Sequence, residues 1–250
     1  MMENPRAKEI LEHLNRRSPL SIDELATLLA VSTVTVRRDL AELENEGLII
    51  RQRGGAALPS NSIEPMFYQR HKQHLELKKQ IAKYAAEQVE EGEVIAIDVG
   101  TTAAEFAKEL LKKNNLTVFT NSFQAASILA KSQHQVYFVG GMLRKSEMSM
   151  VGSIAKDTVL KFNYDRFYMG LAGISHSAGP TDYSLEDAEV KRCFISKSKE
   201  VIALVDKTKF GKSSLVKVCE MDEITTVITN QDDGVAGQEM AYFRGKLITV

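Results

Sequence analysis

The feature that most constrains the fold is an alternation that sets in after Glu93. Short, nearly continuous apolar runs rich in β-branched residues recur at 94–98, 117–120, 136–139, 166–169, 201–205, 226–229 and 247–250. Between several of them lie segments of helical periodicity, among them 103–113, 123–131 and 154–162. A strand buried on both faces loses the polar alternation of a half-exposed sheet, so runs of this kind suit a parallel sheet covered by helices. Strand–helix alternation then predicts an α/β domain with a mainly parallel sheet. A helix rich in charge, at about 74–91, leads into it.

The first sixty residues have a different texture: three short amphipathic segments and a basic tail that ends in glycine. A stretch of linker composition, 54–69, follows, with Gly54, Gly55, Pro59, Ser60, Asn61, Ser62 and Pro65. The expected division is a small domain at 1–58, a linker at 59–73 and an α/β domain at 74–250. With 44% hydrophobic and 26% charged residues over 250 positions, the chain is neither disordered nor collagen-like and buries a core without staples. Cys193 and Cys219 are too few for a disulfide framework or a metal cluster and read as buried, reduced thiols. The five histidines show no metal spacing and read as surface or linker residues; no metal and no cofactor are expected. No run approaches the roughly 18 apolar residues of a membrane span, and the first ten residues lack the apolar core of a signal peptide. A cytoplasmic location is expected. A net charge of −1 argues against coating nucleic acid through bulk electrostatics but leaves room for a local basic face.

Within the small domain, a first helix is expected over 5–15, with Ile10, Leu11 and Leu14 inward. Ser21-Ile22-Asp23-Glu24 has the pattern of a capping box and opens a second helix with Leu25, Leu28 and Leu29 apolar. Ser32 is the natural N-cap of a third, which ends before Gly47 as a C′ glycine. Three helices with so short a turn between the last two describe a helix-turn-helix. At about 100° per residue, Val36, Leu40 and Leu43 share the inner side of the third helix. Val34, Arg38 and Ala41 fall opposite, flanked by Thr35 and Arg37. Such a face suits a major groove, where arginine binds guanine or phosphate and valine meets a thymine methyl. The alternative is that Arg37, Arg38 and Asp39, with Glu42 and Glu44, form a solvated helix face with i,i+4 pairs. Beyond Gly47, the run 48–55 reads as a β-wing whose arginines, Arg51 and Arg53, share one face over the phosphates.

Residues 31–40, Val-Ser-Thr-Val-Thr-Val-Arg-Arg-Asp-Leu, followed by Leu43-Glu44, Gly47-Leu48 and Arg51 to Gly55, resemble the winged helix-turn-helix of the DeoR family of bacterial transcriptional regulators. The likeness covers residues 6 to 58. It implies binding to double-stranded operator DNA through Ser21, Ser32, Thr33, Val34, Thr35, Arg37, Arg38, Arg51 and Arg53. Thr33 and Val34, which vary in the family, would set sequence preference, and the arginines would anchor. Helix-turn-helix proteins read paired half-sites, so a homodimer or homotetramer is expected.

In the larger domain, Asp98-Val99-Gly100-Thr101-Thr102 ends one strand and opens the next helix. That junction presents free amides and a positive helix end at the sheet's C-terminal edge. Thr102 with Glu105 also fits a capping box, which alone would explain the threonine. Similar loops recur at Thr120-Asn121-Ser122, Gly140-Gly141 and Gly152-Ser153, and Lys207 and Lys209 follow the strand at 201–205. Several such loops at neighbouring strand ends would line one crevice. The Met-rich stretch 142–150 is expected to be loop leading into a helix. Residues 70–230 resemble the sensor domain of the same family in order and spacing, through Arg70, Lys78, the 98–102 loop, Thr-Asn-Ser, Gly-Gly and the Asp-x-x-Lys-Phe segment at 206–210. That domain is in turn similar to ribose-phosphate isomerase. The resemblance implies a phosphorylated sugar or related effector held by Lys78, Asp98, Gly100, Thr101, Thr102, Thr120, Asn121, Ser122, Gly140, Gly141, Gly152 and Lys209.

The rival is a sugar-phosphate isomerase that carries a DNA-binding module. Aldose–ketose isomerisation needs a carboxylate base at the sugar. The corresponding stretch here, 169–173, holds no acid, and Glu186, Asp187 and Glu189 read as a solvated acidic helix start. The cradle is kept and the base is lost, so the expectation is a sensor and not an enzyme.

Overall fold

The structure, a computed structural model, describes residues 5–45, 48–57, 64–231 and 234–250. Gly47, and with it the expected C′ glycine, and linker residues Pro59 to Ser62 lie outside the described residues. The chain divides into two compact units, Met1–Gln73 and His74–Val250.

The first unit runs α1 (Pro5–Arg16), β1 (Leu20–Ser21), α2 (Ile22–Leu28), α3 (Thr33–Asn45), β2 (Ile50–Gln52), β3 (Gly55–Ala57) and α4 (Phe67–Lys72). The expected capping box opens α2: the Glu24 amide donates to Ser21 Oγ at 3.1 Å, and the Ser21 amide donates to Glu24 Oε2 at 2.8 Å. Ser32 caps α3, its Oγ accepting the Thr35 amide at 3.2 Å. Ile10, Leu14, Leu25, Val36, Leu40 and Leu43 fill the core between the three helices, each side chain removed from water stabilising by about 1.5–3 kcal/mol. Asp39 does not lie on a solvated face. It is buried, and the Arg6 fork grips it with Nε–Oδ2 at 2.8 Å and Nη2–Oδ1 at 3.2 Å, clamping α1 to α3. This fixes the rotation of α3 and turns Val34, Arg37 and Arg38 outward.

The wing also differs in detail. Its sheet has the order β1-β3-β2 with antiparallel pairs, and Arg51 lies on β2, whereas Arg53 sits in the turn beyond it. The strand ends at Gln52 because the chain reverses through Gly54, whose φ is +85°. Gly55, paired with Ser21 on β1, has no room for a side chain: a Cβ there would lie 2.2 Å from the Leu20 carbonyl oxygen. Residues 67–69, which the composition assigns to the linker, begin α4.

The second unit begins with α5 (Leu75–Glu87), β4 (Val94–Ile97), α6 (Thr101–Leu110), β5 (Thr117–Thr120), α7 (Phe123–Leu129) and β6 (Gln135–Phe138). A hairpin follows, β7 (Met142–Arg144) and β8 (Ser149–Val151), then α8 (Ser153–Val159), β9 (Tyr164–Gly170), β10 (Gly173–Ser175) and β11 (Gly179–Asp182). The chain closes with α9 (Leu185–Lys197), β12 (Ser198–Leu204), β13 (Val216–Lys217), β14 (Thr226–Thr229), α10 (Val235–Glu239) and β15 (Lys246–Thr249). All seven apolar runs become strands of one parallel sheet, in the order β15-β14-β12-β9-β4-β5-β6. Successive side chains go to opposite cores. Ile95 and Ile97 pack with α5, α6 and α7, whereas Ala96 packs on the face of α8 and α9.

Two expectations fail here. The stretch 142–150 is the β7–β8 hairpin and not loop leading into a helix. His134 is buried rather than at the surface, its Nε2 at 2.8 Å from the Leu110 carbonyl. Cys219 is buried as a free thiol, which pushes its titration up to about 12, and Cys193 is only partly covered.

Replacing Gly55 by alanine is expected to destabilise the N-terminal unit by about 1–3 kcal/mol, because the added methyl meets backbone that cannot move aside. Thermal unfolding of G55A followed by circular dichroism measures this, and an unchanged first transition would contradict the packing.

Candidate functional site

The exposed side of α3 carries Val34, which is 70% exposed, with Arg37 and Arg38 fully on the surface and Thr33 and Thr35 half-buried. Arg51 and Arg53 are exposed on the wing. Three of the nine expected DNA contacts, Ser21, Ser32 and Thr35, have local work of their own. The Ser21 hydroxyl closes the α2 capping box by donating to Glu24 Oε2 at 2.8 Å, and the Ser32 hydroxyl is shared with Thr35 Oγ1 at 2.9 Å.

In the second unit the strand order reverses between β4 and β9, since the chain moves outward from β4 to β6 and then from β9 to β15 on the other side. Ligands of open α/β sheets bind outside the C-terminal strand ends at such a switch point. Asp98 ends β4 here, and its Oδ2 accepts the Gly170 amide from the end of β9 at 2.9 Å. Gly170 allows this approach; a Cβ there would lie 3.2 Å from the Val99 carbonyl oxygen.

A residue that sequence reasoning missed completes the arrangement. Lys191, on α9 and fully buried, pairs with Asp98, lies 3.1 Å from Asp182 Oδ2 and donates to the Gly170 carbonyl at 3.0 Å. Burial raises the Asp98 titration to about 6, with Lys191 opposing the shift. Burial works against the Lys191 ammonium, but the two aspartates outweigh it and hold it protonated. Asp187 corrects a further expectation: it is no solvated helix start but a buried carboxylate, ion-paired with Arg144 and accepting from Ser149 Oγ at 2.7 Å. Burial pushes its titration up, against the pull of Arg144.

Around the switch point the expected effector residues sort into two groups. Gly100 is the N-cap of α6 with φ +116°, and no side chain caps the helix. Thr102 lies inside α6, behind the Gly100 N-cap, so the capping-box alternative for it fails; Glu105 pairs with Lys108 at 2.5 Å. The amides of Thr101 and Thr102 precede the first helical bond, from Ala104 to the Gly100 carbonyl at 3.0 Å. On the adjacent strand, Thr120 Oγ1 accepts the Ser122 amide at 3.1 Å and Ser122 Oγ caps α7. Asn121 Nδ2 donates to the Met150 carbonyl at 3.1 Å, tying this loop to the hairpin, while its buried Oδ1 has no hydrogen-bond partner among the described residues. Gly140, Gly141 and Gly152 stand apart. They follow β6 and the hairpin, two strands from the switch point.

On the other side of the switch point stand the lysines. Lys78 is buried on α5, and Lys209 ends the short 3-10 turn after β12. His74 heads α5 in the left-handed region, φ +52°. Its imidazole is held below its ordinary range by the crowding around its ring and by Lys78, Lys209 and Lys212, with Asp206 working against them. Asn230, at the end of β14, donates to the Leu77 carbonyl and Gln80 Oε1, both at 3.0 Å, and leaves its buried Oδ1 without a hydrogen-bond partner. The opposite sheet edge has a shallow cleft lined by Glu93, Asp165, Arg166, Lys199 and Glu200, whose charges pair among themselves.

A winged helix-turn-helix followed by an α/β unit whose strand order reverses between β4 and β9 is the architecture of a DNA-binding regulator of transcription. The sequence profile of the DeoR-like helix-turn-helix domain matches residues 6–62, and that of the DeoR C-terminal sensor domain matches residues 73–231. The chain belongs to the DeoR family. It is 32% identical over 231 residues to the glycerol-3-phosphate regulon repressor of Escherichia coli K12, covering 92% of each chain. It is 36% identical over 233 residues to the transcriptional repressor GlcR of Bacillus subtilis 168, covering 92% of this chain and 90% of that one. Among solved structures, ribose 5-phosphate isomerase A of Methanocaldococcus jannaschii overlaps 55% of each chain at 19% identity with a TM-score of 0.42, a likeness that says nothing of activity.

Removing the Lys191 ammonium strands one buried carboxylate, Asp98, and one partly buried, Asp182. Lys191→Met is expected to cost about 3–5 kcal/mol in denaturant unfolding at pH 7. The loss has a pH sign. A carboxyl whose folded titration lies above its unfolded value near 3.8 holds a proton that the unfolded chain releases, so stability falls as pH rises through that window. The variant is expected to lose stability more steeply than the parent between pH 4 and 7. Parallel pH profiles would contradict the burial of this cluster.

Proposed function

We propose that the chain is a repressor of a carbohydrate-utilisation operon whose hold on operator DNA is set by a phosphorylated sugar or sugar-derived metabolite bound at the C-terminal edge of its parallel sheet. The observation that carries the effector is a shared strand-end edge: Lys209 ends the turn after β12, Lys78 lies on α5, which Asn230 ties to the end of β14, and the Gly100–Thr102 amides open α6 after β4. A phosphate dianion is attracted to lysine ammonium groups, and the amides at a helix start receive its oxygens. Relatives named as repressors of glycerol-3-phosphate and lactose phosphotransferase regulons support the metabolite class. On this reading Lys78, Lys209 and Gly100 to Thr102 anchor the phosphate, and Thr120 to Ser122 face the rest of the ligand. Gly140, Gly141 and Gly152 shape the far edge.

The chain acts as a sensor and not as an isomerase. The support is that Asp98, Asp182 and Asp187 are engaged by Lys191 or Arg144, so none of them is a ready base. An assay for interconversion of ribose 5-phosphate and its ketose is expected to show no turnover. The working location is the cytoplasm, where operator DNA and phosphorylated sugars meet; no described helix is long and apolar enough to cross a membrane.

In the DNA-binding unit, Thr33 and Val34 reach base edges, Arg37 and Arg38 bind bases or phosphates, and Arg51 and Arg53 lie over the backbone. Alanine at Arg37 or Arg38 is expected to weaken operator binding by about 1–3 kcal/mol in a mobility-shift titration. Unchanged affinity in both folded variants would sink the assignment of α3.

Screening melting temperatures against phosphorylated sugars identifies the effector, since a ligand at one hundred times its Kd adds about 2.7 kcal/mol. A charge-assisted hydrogen bond is worth about 1.5–3 kcal/mol, so Lys209→Ala is expected to weaken that effector roughly 10- to 100-fold in calorimetry. Operator binding without effector is expected to survive. Equal effector affinities in parent and variant would place the phosphate elsewhere.

A further inference from the structure

The seven-stranded sheet has two open edges, and they are guarded differently. β15 begins with Lys246, a charge of the kind that discourages edge pairing. β6 reads Gln135-Val136-Tyr137-Phe138, with neither charge nor proline, and among the described residues pairs with β5 alone. The amides of Gln135 and Val139 donate to the Leu116 and Thr120 carbonyls on the β5 side, each at 2.9 Å. By strand alternation the backbone groups of Val136 and Phe138 face away from β5, toward the open edge.

Aromatic rings flank that edge on both faces of the sheet. On the α7 face Phe138 meets Phe123, with centroids 6.3 Å apart. On the α8 face Tyr137 stacks on Phe119 at 4.5 Å and lies 6.0 Å from Phe162. These rings are not spent on the core: Phe123 is 45%, Tyr137 40% and Phe138 42% exposed.

We propose that a second copy of this chain docks here, β6 against β6, antiparallel about a twofold axis at Tyr137. Symmetry selects this occupant. Across a twofold axis each side chain meets its own kind, so a charge at the centre would face an equal charge. β6 offers neutral rings, which gain from meeting rings, and Gln135, whose Nε2 already donates to Tyr137 Oη at 3.0 Å. The register that uses both outward residues sets Val136 opposite the partner's Phe138 and Tyr137 opposite the partner's Tyr137. A continuous sheet then runs through both copies, and ring clusters close over it on each face. Two copies are also what a helix-turn-helix needs to read paired half-sites. The pairing is independent of the effector pocket, which lies at the strand ends.

The test uses the full chain. Sedimentation velocity is expected to show a dimer, or a larger assembly built from it, and Phe138→Lys is expected to raise the dissociation constant of the β6 contact at least tenfold. The Tyr pair is a non-hydrogen-bonded antiparallel pair with Cα atoms about 4.5 Å apart, inside the range of about 4.4–6.8 Å that a disulfide spans. Tyr137→Cys is therefore expected to form a covalent dimer under mild oxidation, seen on a non-reducing gel, whereas Tyr242→Cys, at a site 78% exposed, is not. If Phe138→Lys fails to fold, the cysteine variant still decides. A parent chain that is monomeric at every concentration, a folded Phe138→Lys that sediments as the parent does, or a Tyr137→Cys that crosslinks no more than Tyr242→Cys would each overturn the proposal.

Discussion

The sensor unit turns on one buried ammonium. Lys191 sits among Asp98 at the end of β4, Asp182 at the end of β11 and the Gly170 carbonyl at the end of β9. Desolvating three charges is costly, and an apolar core of the same shape would be at least as stable. What the cluster contributes is position. It ties α9 and the small β10–β11 sheet to the two strands that border the switch point, and so anchors the strand end from which the Gly100–Thr102 amides open α6. Asp187 with Arg144 repeats the device one turn earlier on α9 and holds the β7–β8 hairpin.

The DNA-binding unit uses the same logic on a smaller scale. Arg6 clamps Asp39 and fixes the rotation of α3, while Gly55 lets the wing approach β1. With the inner face of α3 held by Val36, Leu40 and Leu43, its arginines have only the outside to occupy. A face positioned from beneath in this way loses little freedom when it meets a rigid duplex, so more of each contact survives as affinity.

Much of this was legible in the sequence because it is local. The seven strands announce themselves as short apolar runs, since a parallel sheet covered on both faces asks for nothing else. The caps at Ser21 and Ser32 follow from residues three positions apart. What stayed hidden depends on pairs distant along the chain. Lys191 meets Asp98 across 93 positions, and Arg6 meets Asp39 across 33. No spacing rule connects such residues, so Asp39 and Asp187 read as ordinary solvated acids. The β7–β8 hairpin was missed because its strands are three residues long, too short to show a period. Lys209 was suggested by its place just after an apolar run, whereas Lys78 came only through resemblance, since nothing local foretells the burial of one lysine on a charged helix.

The central claim is that one ligand, bound to the sensor unit, alters how the other unit holds DNA. Coupling of this kind between two sites is worth about 1–3 kcal/mol, or roughly 5- to 150-fold in affinity. The direct measurement is a fluorescence-anisotropy titration of labelled operator DNA with the full chain, at fixed salt, with and without a saturating phosphorylated sugar that raises its melting temperature. The account predicts two curves separated by at least about fivefold in Kd. Superimposed curves, with the sugar phosphate demonstrably bound, would contradict it.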